Sequence, residues 1–148
     1  MTQVFHLTAS LNCTPEEAFT YFIDKKKLEE WLTTVADIEP RTGGKFELFW
    51  DPTDHENNST IGCRITAMRP KQIIAFDWKS PKQFKAFANE ADPLTHVVVS
   101  FIPNGNQTIV HLIHSGWRST SSWNEARMWQ EGAWRSAFDS LEGQVNKR

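Results

Sequence analysis

The 148-residue sequence has no apolar run long enough to cross a membrane, little cysteine, and no marked excess of charge of either sign. Its 16 Lys and Arg residues nearly balance 18 Asp and Glu residues, so it lacks the basic surface typical of nucleic-acid binding. Cys13 and Cys63 are isolated, and no signal peptide pattern accompanies them. We therefore expect a cytoplasmic protein with reduced thiols that binds neither nucleic acid nor a membrane.

Aromatic side chains are abundant, with seven Trp and ten Phe residues against one Tyr. Such large apolar side chains either fill a core or line a hollow. A chain of this length can bury roughly two-thirds of its unfolded surface as one unit. We therefore expect a single domain that spans residues 1–148.

The C-terminal part predicts one long amphipathic helix. Ser122 and Glu125 have the Ser-x-x-Glu spacing of a capping box, which places the start of the helix there. Apolar residues then recur at helical spacing, and this stripe is expected to lie across a sheet. The stripe comprises Trp123, Ala126, Ala133, Trp134, Ala137, Leu141 and Val145. Because it mixes Trp with Ala, it packs closely at some turns and leaves room at others.

The remaining sequence predicts strands and two short helices. Residues 2–9 alternate in polarity, as a half-buried strand does. Thr14, followed by Pro15, and then Asp24 are typical N-caps of two short helices. Six more strands follow, and a turn at residues 103–106 joins the last two as a hairpin. The order predicts an α+β fold with an antiparallel sheet.

Residues 80–93 form the longest predicted connection, and they are less polar than a passive loop because they include Phe84 and Phe87. Connections of this length are usually functional or locally structured. Two interpretations stay open: a lid over a pocket, or a short helix packed on the edge of the sheet.

Several short motifs, taken in order, resemble a known family. They are 14–19 (TPEEAF), 28–31 (LEEW), 43–46 (GGKF), 74–78 (IAFDW), 108–116 (TIVHLIHSG) and 132–134 (GAW). Their succession resembles the activator of heat-shock-protein ATPase homologue-like family, within the START-related helix-grip (SRPBCC) superfamily. The segment from Gly62 to Pro70 is about one residue longer than the usual spacing, which predicts a β-bulge there.

The resemblance implies a curved antiparallel sheet of six or seven strands wrapped around the long C-terminal helix. It also implies a cavity between sheet and helix that, in this superfamily, often accepts a hydrophobic small molecule. Relatives range from lipid carriers to cyclases and hydroxylase subunits, so the fold does not determine the activity. The chaperone-activating members are larger eukaryotic proteins with an additional N-terminal domain, and a chaperone partner is therefore a secondary expectation.

The candidate ligand-binding residues are those that strand alternation and the helical stripe place toward this cavity, together with the aromatic residues of the candidate lid. They are Trp31, Phe46, Leu48, Trp50, Phe76, Trp78, Phe84, Phe87, Val99, Leu112, His114, Trp134 and Ala137. The same pattern also fits a solid core without a ligand, because packed interiors rarely leave large voids.

His114 is the most informative polar residue in this set, since it is in phase with Leu112 and should point inward. It is either a hydrogen-bonded core histidine or a group that orients a ligand or moves a proton. The remaining histidines show no metal-ligand spacing, and no catalytic triad or phosphate-binding loop is present. We therefore predict no metal, no cofactor and no identified catalytic residue.

The sequence supports three functional hypotheses. The first is a carrier of a small hydrophobic or amphipathic molecule, acting as a monomer or homodimer. The second is a cyclase- or aromatase-type enzyme that uses the same cavity. The third is a protein-interaction module that uses the helix surface around Met128.

Overall fold

The computed structural model describes residues 3–147, so residue 2 of the predicted first strand lies outside the described part. Within these residues the chain forms seven strands and four α-helices. They are β1 (Gln3–Leu11), α1 (Pro15–Thr20), α2 (Lys25–Trp31), β2 (Val35–Ile38), β3 (Phe46–Phe49), β4 (Ile65–Arg69), β5 (Ile73–Trp78), α3 (Lys85–Ala88), β6 (Thr95–Asn104), β7 (Gln107–Trp117) and α4 (Ser121–Asn146). The predicted α+β order is confirmed.

The strands form an antiparallel surface in the order β1-β7-β6-β5-β4, and β2 and β3 form a second antiparallel pair. Isolated bridges from Lys45 to Arg64 and from Phe49 to Ser59 connect β3 to the segment that leads into β4. The register between β4 and β5 shifts between Ile65 and Ala67, so the predicted bulge is present. A five-stranded and a two-stranded sheet, connected by these bridges, therefore accompany α4, which is consistent with the helix-grip fold.

The β6–β7 hairpin closes through a two-residue turn, since Asn104 pairs with Gln107. Gly105 in that turn has a φ of 62°, a conformation that glycine adopts without a steric penalty. The hairpin predicted at residues 103–106 is confirmed.

The two short helices begin where their capping residues predict. The side chain of Thr14 accepts a hydrogen bond from the backbone N–H of Glu17, and Asp24 accepts one from Lys27. Phe19 and Phe22 of the α1 region both contact Phe101 of β6 edge-on. The helices therefore close one end of the sheet.

The start of α4 differs from the prediction. Thr120, with extended backbone angles, is the N-cap, and its hydroxyl accepts a hydrogen bond from the N–H of Trp123 at 3.3 Å. Ser122 is already helical, so the capping box predicted for Ser122 and Glu125 is wrong. The Ser-x-x-Glu pattern does not determine the cap here because Thr120 meets the same chemical requirement two residues earlier.

The buried face of α4 follows the predicted stripe with two additions. Trp123, Ala126, Trp134, Leu141 and Val145 are buried as expected, and so are Gln130 and Phe138, which the stripe omitted. Ala133 and Ala137 are only half-buried. The helix is therefore covered completely along part of its length and incompletely near the two alanines.

The predicted alternation along β3 holds for Phe46 and Leu48, which are both fully buried. Trp50 lies beyond the end of the strand and is 38% exposed, whereas Phe49, on the opposite phase, is buried. The ring of Phe49 stacks on His55, with 4.1 Å between ring centroids. The loop after β3 thus covers the face of the strand that alternation alone would expose.

Candidate functional site

A cleft of about 340 Å³ lies between α4, the end of β5 and the turn that precedes α3, and it is open to solvent. A volume of this size lies at the lower end of the range of small-molecule sites. The lining residues come from five separate parts of the chain. They are Leu32, Trp50, Asn58, Ser59, Trp78, Lys79, Pro81, Gln83, Trp129, Gln130, Ala133, Trp134 and Ala137.

Three of the four tryptophans that line the cleft are oriented by their own indole N–H groups. Trp50 donates to the carbonyl oxygen of Leu32 at 2.9 Å, and Trp78 donates to the side-chain oxygen of Gln130 at 3.1 Å. Trp78 also contacts Trp50 edge-on, with 5.9 Å between ring centroids. Because their polar edges already have partners, these rings leave mainly apolar surface for the cleft.

Trp134 occupies the floor of the site. Its indole N–H donates to Nδ1 of His114 at 3.1 Å, and its ring lies 4.9 Å from that of Trp78. Ala133 and Ala137 lie beside it on α4 and reach the cleft with only a methyl group each. Space therefore remains where a longer side chain would have filled the contact between helix and sheet.

His114 lies behind this floor, fully buried, and is not among the residues that line the cleft. Since the Trp134 indole can only donate, Nδ1 of His114 is the acceptor and Nε2 carries the proton. Nε2 then donates to the hydroxyl of Thr95 at 3.0 Å. Burial, and to a lesser degree the charge of nearby His96, lowers the pKa of His114 well below its usual range. The ring is therefore neutral, and both of its nitrogens are engaged within the protein.

The structure brings four of the sequence-predicted residues together in the cleft: Trp50, Trp78, Trp134 and Ala137. The others lie outside its lining. Trp31, Phe46, Leu48, Phe76, Val99 and Leu112 are buried within the main core, His114 is buried behind Trp134, and Phe84 and Phe87 lie under α4. The cleft therefore lies at the end of β5, beside the main core that strand alternation indicates.

Phe84 and Phe87 belong to two short helical turns, Lys82–Phe84 and α3. Phe84 contacts Trp129 edge-on at 6.0 Å between centroids, and Phe87 contacts Trp123 at 5.2 Å. The segment is therefore locally helical, as the interpretation of a short packed helix predicts. Its aromatic residues contact α4, however, and not the edge of the sheet.

Gln130 is the main residue of the cleft that sequence reasoning missed. It is 5% exposed, and its spacing of four residues from both Ala126 and Trp134 places it in the middle of the apolar stripe. A single amide in the middle of an apolar stripe is the sequence signal that could have identified this residue. Trp129, which is 44% exposed at the rim, has no comparable signal because it lies off the stripe.

Little charge faces the cleft. Of the described residues that line it, only Lys79 is charged, and its ammonium group extends toward Gly62, where a Cβ atom would lie 3.5 Å from Nζ. Elsewhere, burial raises the pKa of the Cys63 thiol to about 12, so this group is protonated at neutral pH and is a poor nucleophile. Within residues 3–147, no group of three or more His, Cys, Asp or Glu side chains is arranged to hold a metal.

None of the helices between residues 3 and 147 has both the length and the apolar character needed to cross a membrane. The longest, α4, is amphipathic and carries acidic and basic residues on its exposed face. Its apolar face is buried against the sheet.

A curved antiparallel sheet around one long helix, with two short helices after the first strand, defines a helix-grip protein. The family model described as Activator of Hsp90 ATPase homolog 1-like protein matches residues 12–146, which is most of the chain. The protein belongs to this family. No curated protein sequence matches the chain significantly.

Solved structures share the fold over nearly the whole chain. Protein MLL2253 from Mesorhizobium loti has a TM-score of 0.78 at 18% identity, with 98% of each chain covered. An HSP90 activator from Plasmodium falciparum has a TM-score of 0.74 at 23% identity and covers 97% of this chain and 96% of its own. The Aha1 dimer from Colwellia psychrerythraea has a TM-score of 0.67 at 16% identity, with 95% and 96% covered. Likeness at these identities establishes the fold.

Proposed function

We propose that this protein binds a small hydrophobic or amphipathic molecule in the cleft between α4 and the end of β5. The observation that carries the proposal is the lining of the cleft by four tryptophans together with two small residues of α4, Ala133 and Ala137. Indole rings supply a large apolar contact area, and the alanines leave the volume that a guest would occupy.

The hydrogen bonds of the tryptophans support this proposal. Trp50, Trp78 and Trp134 each donate to a group of the protein, and these bonds hold the rings in place before any ligand arrives. A site that is already ordered loses less conformational entropy on binding than a flexible one. The arrangement favours a guest held by shape and apolar contact.

A neutral dye tests the proposal directly. Nile red is titrated into the protein and followed by dye and tryptophan fluorescence. A dissociation constant on the order of 10 μM is expected, because ligands of this size gain about 0.3 kcal/mol per non-hydrogen atom. Native mass spectrometry should show one dye molecule per chain. Absence of saturable binding would contradict the proposal.

A matched pair of variants locates the binding site. Ala137→Leu replaces a methyl group with an isobutyl group inside the cleft and should weaken dye binding at least about tenfold, equivalent to about 1.4 kcal/mol. Ser136→Leu places the same leucine side chain at the neighbouring exposed position of α4 and should leave the affinity unchanged. Equal affinities for the two variants would place the dye elsewhere.

The enzyme hypothesis has less support. A proton-transfer role for His114 requires a ring nitrogen that faces the cleft, but both nitrogens bond to Thr95 and Trp134. The residues that line the cleft offer no other group of the acid–base type apart from Lys79.

The interaction-module hypothesis rests on one surface feature. Met128 and Trp129 of α4 are 64% and 44% exposed, and adjacent exposed apolar residues favour contact with a partner. Light scattering of the protein over a hundredfold concentration range, repeated with Met128→Ser, tests self-association through this surface. A monomer mass at every concentration would argue against it.

A further inference from the structure

Gln130 is a buried amide in an otherwise apolar part of the core. It is 5% exposed, lies on the inner face of α4, and borders the cleft. The oxygen and the NH₂ group of a buried amide normally both have hydrogen-bond partners, because a buried donor or acceptor without a partner costs free energy. The partners of Gln130 therefore indicate what the site is built to hold.

The hydrogen bond from Trp78 determines the orientation of the Gln130 amide. The indole N–H of Trp78 is a donor only, so the Gln130 atom 3.1 Å from it must be the oxygen, Oε1. The NH₂ group of Gln130 is then at the other end of the amide. Within residues 3–147 no acceptor forms a hydrogen bond with this NH₂ group.

The free NH₂ group opens onto the cleft. Among the described residues, three side-chain atoms are completely buried and have no hydrogen-bond partner: Trp117 Nε1, Asn124 Oδ1 and Arg127 Nε. Gln130 Nε2 also has no partner but is not among them, so this atom is not completely buried. Since nearly all of the residue is covered and it borders the cleft, the accessible part of the amide is the NH₂ group itself. A neutral donor therefore faces a pocket whose other walls are mainly apolar and include four tryptophans.

We propose that the ligand is an uncharged ring compound that carries a carbonyl or similar neutral acceptor, and that the NH₂ group of Gln130 donates to that oxygen. The proposal rests on the proposed function and specifies its ligand class. A neutral acceptor is favoured over a carboxylate because the single lysine at the cleft extends its ammonium toward Gly62. The tryptophan rings would contact the apolar body of the ligand.

Three probes with the same rings test the ligand class: methyl naphthyl ketone, ethylnaphthalene and naphthoate. The ketone and the hydrocarbon differ little in size, and only the ketone offers an acceptor. Quenching of tryptophan fluorescence gives each dissociation constant. The ketone should bind roughly five- to tenfold more tightly than ethylnaphthalene, as expected for one additional hydrogen bond, and more tightly than naphthoate. Tightest binding by naphthoate would overturn the proposal.

Two substitutions assign the effect to Gln130. Gln130→Glu retains an oxygen acceptor for the Trp78 indole but replaces the donor with a second acceptor, so the preference for the ketone over ethylnaphthalene should disappear. Gln130→Leu should also remove the preference; because it removes the acceptor of the Trp78 indole as well, the ketone and ethylnaphthalene are compared within the same variant. A ketone preference that persists in both folded variants, checked by near-UV circular dichroism, would contradict the role of Gln130.

The outcomes separate this inference from the proposed function. If none of the probes binds wild-type protein, the proposed function fails. If ketone and hydrocarbon bind equally well, and Ala137→Leu weakens both, the cleft is a ligand site but the inference about Gln130 fails.

Discussion

Two adjacent parts of α4 pack against the sheet in opposite ways. Toward the C-terminus, Phe138, Leu141 and Val145 are 3%, 0% and 0% exposed, and none of these three borders the cleft, although Phe138 also lines a separate hollow between β1 and α4. Ala133 and Ala137, on the flank of the same helix, are half-buried and border the cleft. The contact made by the three buried residues is therefore closed, whereas the contact beside the alanines is open.

Polar contacts reinforce the closed part. The backbone N–H of Ser10 in β1 donates to the carboxylate of Glu142 at 2.8 Å, and Asn146 bonds to the backbone of Ser10 and Asn12. These bonds use backbone groups of the edge strand that the sheet itself does not pair. The C-terminal part of α4 is thus held by hydrogen bonds to the backbone of the sheet edge, whereas the part near the alanines is held by two bonds between side chains, from Trp78 to Gln130 and from Trp134 to His114. Large side chains on α4 therefore make a structural contact with the sheet, whereas the small side chains of Ala133 and Ala137 leave room for a candidate binding site.

The largest expected effect comes from truncation in the closed part. Leu141→Ala should lower the free energy of unfolding by about 2–5 kcal/mol, because it removes a fully buried side chain and leaves a void. Urea denaturation measures the loss, and Ser140→Ala, at an exposed neighbouring position, is the control. Nile red affinity of the folded variant should be unchanged. A loss below about 1 kcal/mol would show that this part is not closed.

Enlargement of two alanines on the same helix gives the next effect. Ala126 is 1% exposed, so Ala126→Leu should cost about 1–3 kcal/mol of unfolding free energy through overpacking. Ala137→Leu should cost less than about 0.5 kcal/mol, because the cleft receives the added atoms. Equal losses of unfolding free energy for the two variants would mean that the cleft has no room for a leucine side chain at position 137.

His114, buried behind Trp134, should make stability depend on pH. Its pKa is lowered in the folded state, while an unfolded His titrates near 6.5. Below about pH 6.5 the unfolded chain binds the additional proton, so stability falls as pH decreases, by up to about 1.4 kcal/mol per pH unit from this residue. Above that pH the residue contributes no slope.

The comparison of wild type with His114→Gln isolates this contribution. The glutamine side chain can accept from Trp134 and donate to Thr95 but does not titrate in this range. Denaturation at several values between pH 7 and pH 5 should show a shallower decline for the variant. Parallel declines would indicate that the pKa of His114 is not lowered in the folded state.

The smallest effect concerns the start of the helix. Thr120→Ala should destabilise the protein by about 1 kcal/mol, since it removes the hydroxyl that caps the N–H of Trp123. Ser122→Ala should change stability by less than about 0.5 kcal/mol. Thermal unfolding of both variants distinguishes the caps, and the reverse order would support the capping box at Ser122.

Local signals predicted much of this fold. The N-caps Thr14 and Asp24, the turn at Gly105 and the alternation of the long strands each depend on residues near one another in the sequence, and the structure confirms them. The α4 cap was missed because two adjacent segments offered similar capping groups, and only the path of the chain out of β7 selects Thr120.

The candidate site was predicted only in part. Trp78, Trp134 and Ala137 were found because their phase places them toward the helix–sheet contact. Gln130 was missed because its role depends on Trp78, which lies 52 residues away in the sequence. At the end of β3 the prediction missed the burial of Phe49, because the loop that carries His55 covers this side chain.

By itself, the sequence determined the family, the order of strands and helices, and the apolar face of α4, because periodicity and capping act over a few residues. Only the tertiary structure decided where that face is open, which way the amide of Gln130 points and that His114 is neutral. These properties arise from side chains brought together from distant segments, where volume and hydrogen-bond partners are set by packing.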